Sequence, residues 1–281
     1  MKSNKTPTLK KYLILVACMI VVFTACKKEA TVDNDSSECQ DFTWAEGIFN
    51  DATSMMDEAA ITNNLTLYDT ISHDSTVSPC CMIHRQNTNN SDPDTIIIDF
   101  GPSDCFCADN KYRRGQIIAI YNPPFYIDSL NVITLSFNNY YVNDNLVQGT
   151  KTITNLGRNP IGQYQYSSVV NGSITNTNNQ TMTFKSNENK LWTVGDTALV
   201  WYNDVYQITG SSSGTAFNGI AFTDSITTPL TIEGSCHFIV SGNLSLTPAG
   251  KSARTVDFGS GSCDANMTVT ISGKNYLVGM H

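Results

Sequence analysis

The chain has 281 residues, with 25 acidic against 17 basic and a formal charge of −8. No Lys/Arg cluster stands out, which excludes the cationic surface that nucleic-acid phosphates require. The length suits one large β domain or two small ones.

In chain order, the N-terminus "MKSNKTPTLKKYLILVACMIVVFTACKKEA" comes first. Lys2, Lys5, Lys10 and Lys11 form a basic region, and Leu13 to Phe23 is an apolar run of signal-peptide length, too short to span a bilayer comfortably. Phe23-Thr24-Ala25-Cys26 then resembles a bacterial lipobox, which implies a signal peptide at 1–25 and a lipidated Cys26 as the first mature residue. Acyl chains bury roughly 0.8 kcal/mol per methylene, and more than one chain makes anchoring stable. The expectation is a membrane partner through the lipid anchor, with residues 26–40 as a flexible tether. Removing 1–25 deletes four basic residues and no acid (17 − 4 = 13 against 25), so the mature charge would be −12.

The segment "TWAEGIFNDATSMMDEAA" carries Phe42, Ala45, Phe49, Ala52, Met56 and Ala59 at helical spacing, which predicts one helix over about 42–60. Thr43 with Glu46 reads as its capping box. The apolar stripe should pack on a sheet, with an acidic face opposite it. From about residue 67, Thr, Val, Ile, Tyr and Phe dominate, punctuated by Asn and Gly, the pattern of antiparallel strands. "YYVNDNLVQGTKTIT" reads as strand, Asn-Asp-Asn turn, strand. Asn171-Gly172, Ser241-Gly242 and Ser272-Gly273 read as hairpin turns. The predicted class is mainly β: antiparallel sheets, as a curved sheet, sandwich or half-barrel, with one N-terminal helix packed on them. Residues 41–281 should form a single domain.

One frame occurs twice. "DFGPSDC" (Asp99–Cys105) and "DFGSGSC" (Asp257–Cys263) each follow an apolar strand, and each has an upstream cysteine, Cys80 or Cys236, opening a strand. Asp-Phe-Gly is also a kinase triplet, but a catalytic loop, a strand lysine and a glycine-rich loop ahead of it are missing. A disulfide clasp between neighbouring strands accounts for both copies, pairing Cys236 with Cys263 and Cys80 or Cys81 with Cys105. Closing loops of this length stabilises by roughly 3–4 kcal/mol, and exported proteins keep such bonds. Asp99 and Asp257 should accept backbone N–H bonds in the turns. Seven cysteines follow Cys26, so at least one stays unpaired or bonds between chains; a bridge from Cys81 or Cys39 to Cys107 is the further candidate.

These pieces, with "RRGQIIAIY", "LSFNNYYVNDNLVQGTKTITN", "DTALVWYNDVYQITG", "ITTPL" and "VDFGSGSCDANMTVTISGKNYLVGM", resemble a recurrent family of Bacteroidota outer-membrane lipoproteins of unknown function. The resemblance covers most of the chain from about residue 40. It implies an outer-membrane, lipid-anchored location and an architecture, without a chemistry. Exported proteins of that group also carry O-glycans at Asp-Ser/Thr followed by a small or aliphatic residue. Six such triplets occur here, with Thr70, Ser75, Thr95, Ser129, Thr197 and Ser225 as the hydroxyl residues.

No catalytic, metal or cofactor motif is present. His73, His84, His237 and His281 lack ligand spacing, and Asp92 and Asp94 lack the rest of a calcium loop. Arg113-Arg114 reads as solvent-facing. Any glycosidase chemistry should rely on aspartates, since four of the six glutamates lie within 29–58. Aromatics such as Tyr121, Tyr140, Tyr164, Tyr166, Trp192, Trp201 and Tyr206 are core, or line a concave sheet that accepts a lipid or glycan. The sequence therefore reads as a non-catalytic envelope lipoprotein, structural or ligand-binding, with a lipid, a glycan or an envelope protein as partner. The alternative is a glycan- or cell-wall-acting hydrolase whose carboxylates the sequence does not single out.

Overall fold

A computed structural model describes residues 33–62, 80–86, 93–122, 130–195 and 203–280. The signal segment, Cys26, Thr70, Ser75, Ser129, Thr197, Trp201, His73 and His281 lie outside them. One helix, α1 (Ser37–Thr62), precedes the strands. The first seven strands are β1 (Met82–Gln86), β2 (Asp94–Asp99), β3 (Cys105–Phe106), β4 (Tyr112–Tyr121), β5 (Val132–Val142), β6 (Asn145–Arg158) and β7 (Tyr164–Thr175). The remaining seven are β8 (Thr181–Val194), β9 (Val205–Thr215), β10 (Ala221–Glu233), β11 (Ile239–Pro248), β12 (Arg254–Ser260), β13 (Asn266–Ile271) and β14 (Lys274–Gly279). They form one open antiparallel sheet in simple meander order, with the short β3 pairing only β4. No helix among the described residues is long and apolar enough to cross a membrane.

Hairpin chemistry sets this order. Asn143 and Asp144, both at positive φ, join β5 to β6, and Ser272-Gly273 join β13 to β14 in the same way, as a two-residue type I′ turn requires. Asn171-Gly172 makes no turn: β7 runs straight through it in register with β6 and β8. Its glycine serves packing instead. A Cβ at Gly172 would lie 2.2 Å from Cζ of Phe49, so the bare backbone makes room for that ring. Ser241-Gly242 is likewise no turn but a bulge inside β11, where Gly242 has φ +109 and backs onto the Pro229 carbonyl.

The sheet curls around α1. Lys111 ahead of β4, Lys151 on β6, Phe184 on β8, Phe217 after β9, Lys251 after β11 and Gly279 on β14 all touch the helix. Rings lock it in place: Phe49 packs on Phe137 and Phe184 with centroids 5.8 and 6.1 Å away, and Trp44 meets Phe217 at 5.4 Å. Between residues 37 and 60 only Ser54 is exposed. The expected acidic outer face is therefore mostly enclosed, with Glu38, Glu46 and Glu58 buried. The helix also starts earlier than predicted, inside the supposed tether. Asp35 accepts the Ser37 N–H and hydroxyl at its start, satisfying an end that otherwise leaves donors unpaired. Thr43 and Glu46 form no capping box; they bond Gln40 O and Asn50 mid-helix.

Both duplicated frames are clasps. Cys80–Cys105 and Cys236–Cys263 are disulfides with Cα separations of 5.5 and 5.7 Å. Each closes the open end of an antiparallel hairpin, β1–β2 or β11–β12. The cysteines flank the paired strands, except Cys105, which sits in β3. Asp99 Oδ1 accepts the Gly101 N–H and Asp257 Oδ1 the Gly259 N–H, each at 2.8 Å. Cys39, Cys81 and Cys107 are free thiols, so the further bridge to Cys107 is not formed. Arg113 is not solvent-facing. It is 1% exposed, bidentate to Asp109 at 2.6 Å, and its Nε donates to Tyr140 Oη at 3.2 Å, the compensation a buried guanidinium needs.

Candidate functional site

Along β8 the residues of one parity are Met182, Phe184, Ser186, Glu188, Lys190 and Trp192. Alternation turns all six toward α1, so charged groups enter the interior between apolar neighbours. Opposite them the helix presents Thr43, Glu46, Gly47, Asn50, Asp51, Ser54 and Asp57, spaced as one helical face. Two cavities lie between these surfaces. The outer one, about 90 Å³, runs along the helix from Glu46 to Asp57 and is flanked by Arg113, Asp204, Tyr206, Glu233 and His237. The inner one, about 30 Å³, is bounded by Lys151, Tyr166, Ser168, Glu188 and Ile208. Lys190, Tyr206, Asn50 and Asp57 line both, so they form the junction.

Glu46 and Glu188 are each 4% exposed and within hydrogen-bonding reach. Burial, and then the Glu46 carboxylate, raise Glu188 well above the usual carboxylate range despite nearby Lys151, which favours its protonated form. Lys151 Nζ donates to Phe49 O at 3.2 Å and Asn50 Oδ1 at 2.8 Å, and burial lowers its pKa. On β10, Asp224 accepts a hydrogen bond from Ser212; burial pushes it up to about 6. Sequence reasoning looked to aspartates for a carboxylate pair, yet the acids that converge are glutamates. Their signal was the parity of β8, where Glu188 and Lys190 sit in phase with Phe184 and Trp192.

At the junction, Lys190 Nζ stands 3.6 Å from the Tyr206 ring centroid, a cation–π contact. Its pKa is pushed down to about 8, chiefly by burial, with Lys151 adding to the effect and Asp57, Asp204 and Glu46 opposing it. Tyr206 Oη donates to Asp204 Oδ2 at 2.9 Å. Behind it the rings continue as Trp192 (5.5 Å from Tyr206) and Tyr164 (6.0 Å from Trp192), and Arg158 stacks 3.8 Å over Tyr164. Four buried polar atoms of this region have no hydrogen-bond partner: Tyr166 Oη, Ser168 Oγ, Ser186 Oγ and Trp192 Nε1. Unpaired buried polar groups are costly, and the inner cavity has room for about one water to satisfy the first two.

Of the other predicted positions, Tyr121 and Tyr140 are buried elsewhere in the core, and His84 lies on β1, away from both cavities. Asp94 is paired with Arg85 at 2.6 Å. No group of three or more His, Cys, Asp or Glu among the described residues is placed to hold a metal ion. Thr95 and Ser225 sit on the outward face of β2 and β10, half-buried and exposed respectively, while Asp94 and Asp224 point inward. Comparison with family models, curated proteins and solved structures finds no match to this chain.

Proposed function

We propose that this chain is a non-catalytic, ligand-binding lipoprotein of the bacterial envelope, anchored in the outer membrane through Cys26, whose ligand is a glycan rather than a lipid. What carries the choice of ligand is the seating of α1: the helix occupies the concavity where an acyl chain would lie, and the spaces left measure only about 90 and 30 Å³. The larger of them combines the Tyr206 ring with Asn50, Asp57, Asp204 and Glu233. An aromatic face with convergent carboxylate and amide groups suits a sugar ring, whose C–H face stacks while its hydroxyls donate hydrogen bonds. A terminal sugar would enter from the helix side, with the bulk of the glycan outside.

The hydrolase reading keeps one observation in its favour, the close Glu46–Glu188 pair, since a pair of carboxyl groups is what acid–base cleavage requires. Titration calorimetry against a panel of cell-wall and dietary oligosaccharides tests both. Binding without cleavage, weakened about tenfold by Tyr206→Ala or Glu233→Gln, is the expected result. Cleavage lost in Glu46→Gln would establish the hydrolase instead. Phospholipid co-purifying in stoichiometric amount would overturn the choice of glycan. For the anchor, Cys26→Ser should abolish incorporation of labelled fatty acid; a mutant that still incorporates it refutes lipidation at Cys26.

A further inference from the structure

Among the described residues that line these cavities, Lys190 is the one Lys or Arg that no hydrogen bond engages. Lys151 is held by Phe49 O and Asn50, and Arg113 by Asp109. The ammonium of Lys190 makes neither a hydrogen bond nor an ion pair with the described residues; its contact is the Tyr206 ring. It lines both cavities, so a small molecule held in either one meets this side chain. Charged groups surround it at longer range: Glu46 and Asp57 from the helix, Lys151 from β6 and Asp204 from β9. A half-buried lysine against an aromatic wall, with no hydrogen-bond partner to tie down its nitrogen, is an arrangement that favours the nucleophilic, neutral amine.

We propose that Lys190 is a carbonyl-capturing residue, binding small aldehydes in the outer cavity as a reversible imine. The nitrogen lone pair attacks the carbonyl carbon, a C–N bond forms, and the former carbonyl oxygen takes up a proton. The carbinolamine then loses that oxygen as water while nitrogen gives up its remaining proton, leaving C=N. Amine and aldehyde yield imine and water, with no oxidant or reductant. The Tyr206 hydroxyl, bonded to Asp204 at 2.9 Å beside the site, or water in the outer cavity, can relay the protons. A two- or three-carbon hydroxyaldehyde fits within the outer cavity, about 90 Å³. A glycan in the same cavity would compete with the aldehyde, but its binding is not required for this reaction, so each reading has its own test.

The test uses the full chain with glycolaldehyde and sodium cyanoborohydride, which reduces an imine to a stable secondary amine. Peptide mapping by mass spectrometry then compares Lys190 with Lys185, an exposed lysine five residues earlier on the same strand. Lys190 should be modified at least tenfold faster at pH 7.5, and its rate should level off above pH 8. In Lys190→Arg, which retains charge and bulk, the Lys190 peptide should lose the label while Lys185 keeps it. Equal or slower modification of Lys190 in the unmutated protein overturns the proposal, as does a Lys190 rate that keeps climbing beyond pH 9.

Discussion

Glu188 of β8 faces Glu46 of α1 within hydrogen-bonding reach, and burial together with the Glu46 carboxylate raises Glu188 well above the usual carboxylate range. Asp224 adds a second buried acid, pushed up to about 6. For both, the folded-state pKa lies above the unfolded one, so the folded chain binds more protons and stability falls as pH rises through the window. For Asp224 that window is about pH 4 to 6, and the loss is on the order of 2–3 kcal/mol. Lys190 works in the opposite sense: lowered to about 8 from 10.5, it returns stability as pH rises above 8. Thermal melts should show Tm falling between pH 4 and 6, with the fall reduced in Asp224→Asn. A Tm that climbs from pH 4 to 6 would contradict this account of the interior.

Gly172 is set against the Phe49 ring, and a methyl group there would fall 2.2 Å from Cζ. Phe49 cannot retreat freely, because Phe137 and Phe184 hold it from either side. Gly172→Ala should therefore cost about 1–3 kcal/mol, the usual range for overpacking a filled core. Adding Phe49→Leu should restore part of the loss, so that the two substitutions are clearly non-additive in denaturant melts. Additive losses would mean the ring and the glycine do not constrain each other.

Much of the fold was legible because local chemistry and global order agree. Asn143-Asp144 and Ser272-Gly273 turned where turn residues should, and the two Asp-Phe-Gly frames formed the clasps their spacing suggested. Apart from the Ser241-Gly242 bulge, the misread residues are those set against the enclosed helix or buried by the sheet around it. Asn171-Gly172 has the composition of a turn, but its glycine is required by an aromatic ring from a helix more than a hundred residues earlier. Arg113 and the helix acids read as surface because a charged side chain is ordinarily solvated. The wrapped sheet removes that option, and partners distant in sequence, Asp51 with Lys111 and Glu38 with Lys251, take the place of water. Lys190 and Glu188 were visible only as polar residues on the apolar parity of β8, a pattern shared by any strand with a buried polar position.

Two of the six Asp-Ser/Thr triplets fall on described strands, and in both the strand turns its aspartate inward while the hydroxyl faces out. Asp94 is 1% and Asp224 7% exposed. A transferase that reads the aspartate together with the hydroxyl can do so only before the strand joins the sheet. Native-host material should carry hexose on the peptide containing Ser225, whereas unmodified protein refolded first and then given host membrane extract should stay unmodified there. Modification of the folded chain at Ser225 would show that the inward aspartate is not part of what is recognised, and unmodified native material would remove the site.

One clasp ties the edge hairpin β1–β2 of the open sheet, and the other ties β11–β12, two strands in from the opposite edge strand β14. An unpaired edge frays and invites pairing with other chains, and a covalent tie at the open end of the edge hairpin restrains it. Cys236–Cys263 closes a sequence separation of 27 residues, so its removal should cost about 3–4 kcal/mol by loop entropy. In a chain of this size that lowers Tm by roughly 10 °C. The paired substitution Cys236→Ser/Cys263→Ser avoids leaving a lone thiol, and calorimetry of it beside Cys80→Ser/Cys105→Ser gives both values. Because β1 is itself the end strand, losing Cys80–Cys105 should raise hydrogen exchange mainly in β1 and β2, with little change in β11 and β12. Losing Cys236–Cys263 should loosen β11 to β14, since the strands beyond β11 are held to the sheet through it. Unchanged Tm and exchange in either variant would reduce that disulfide to a passive consequence of proximity.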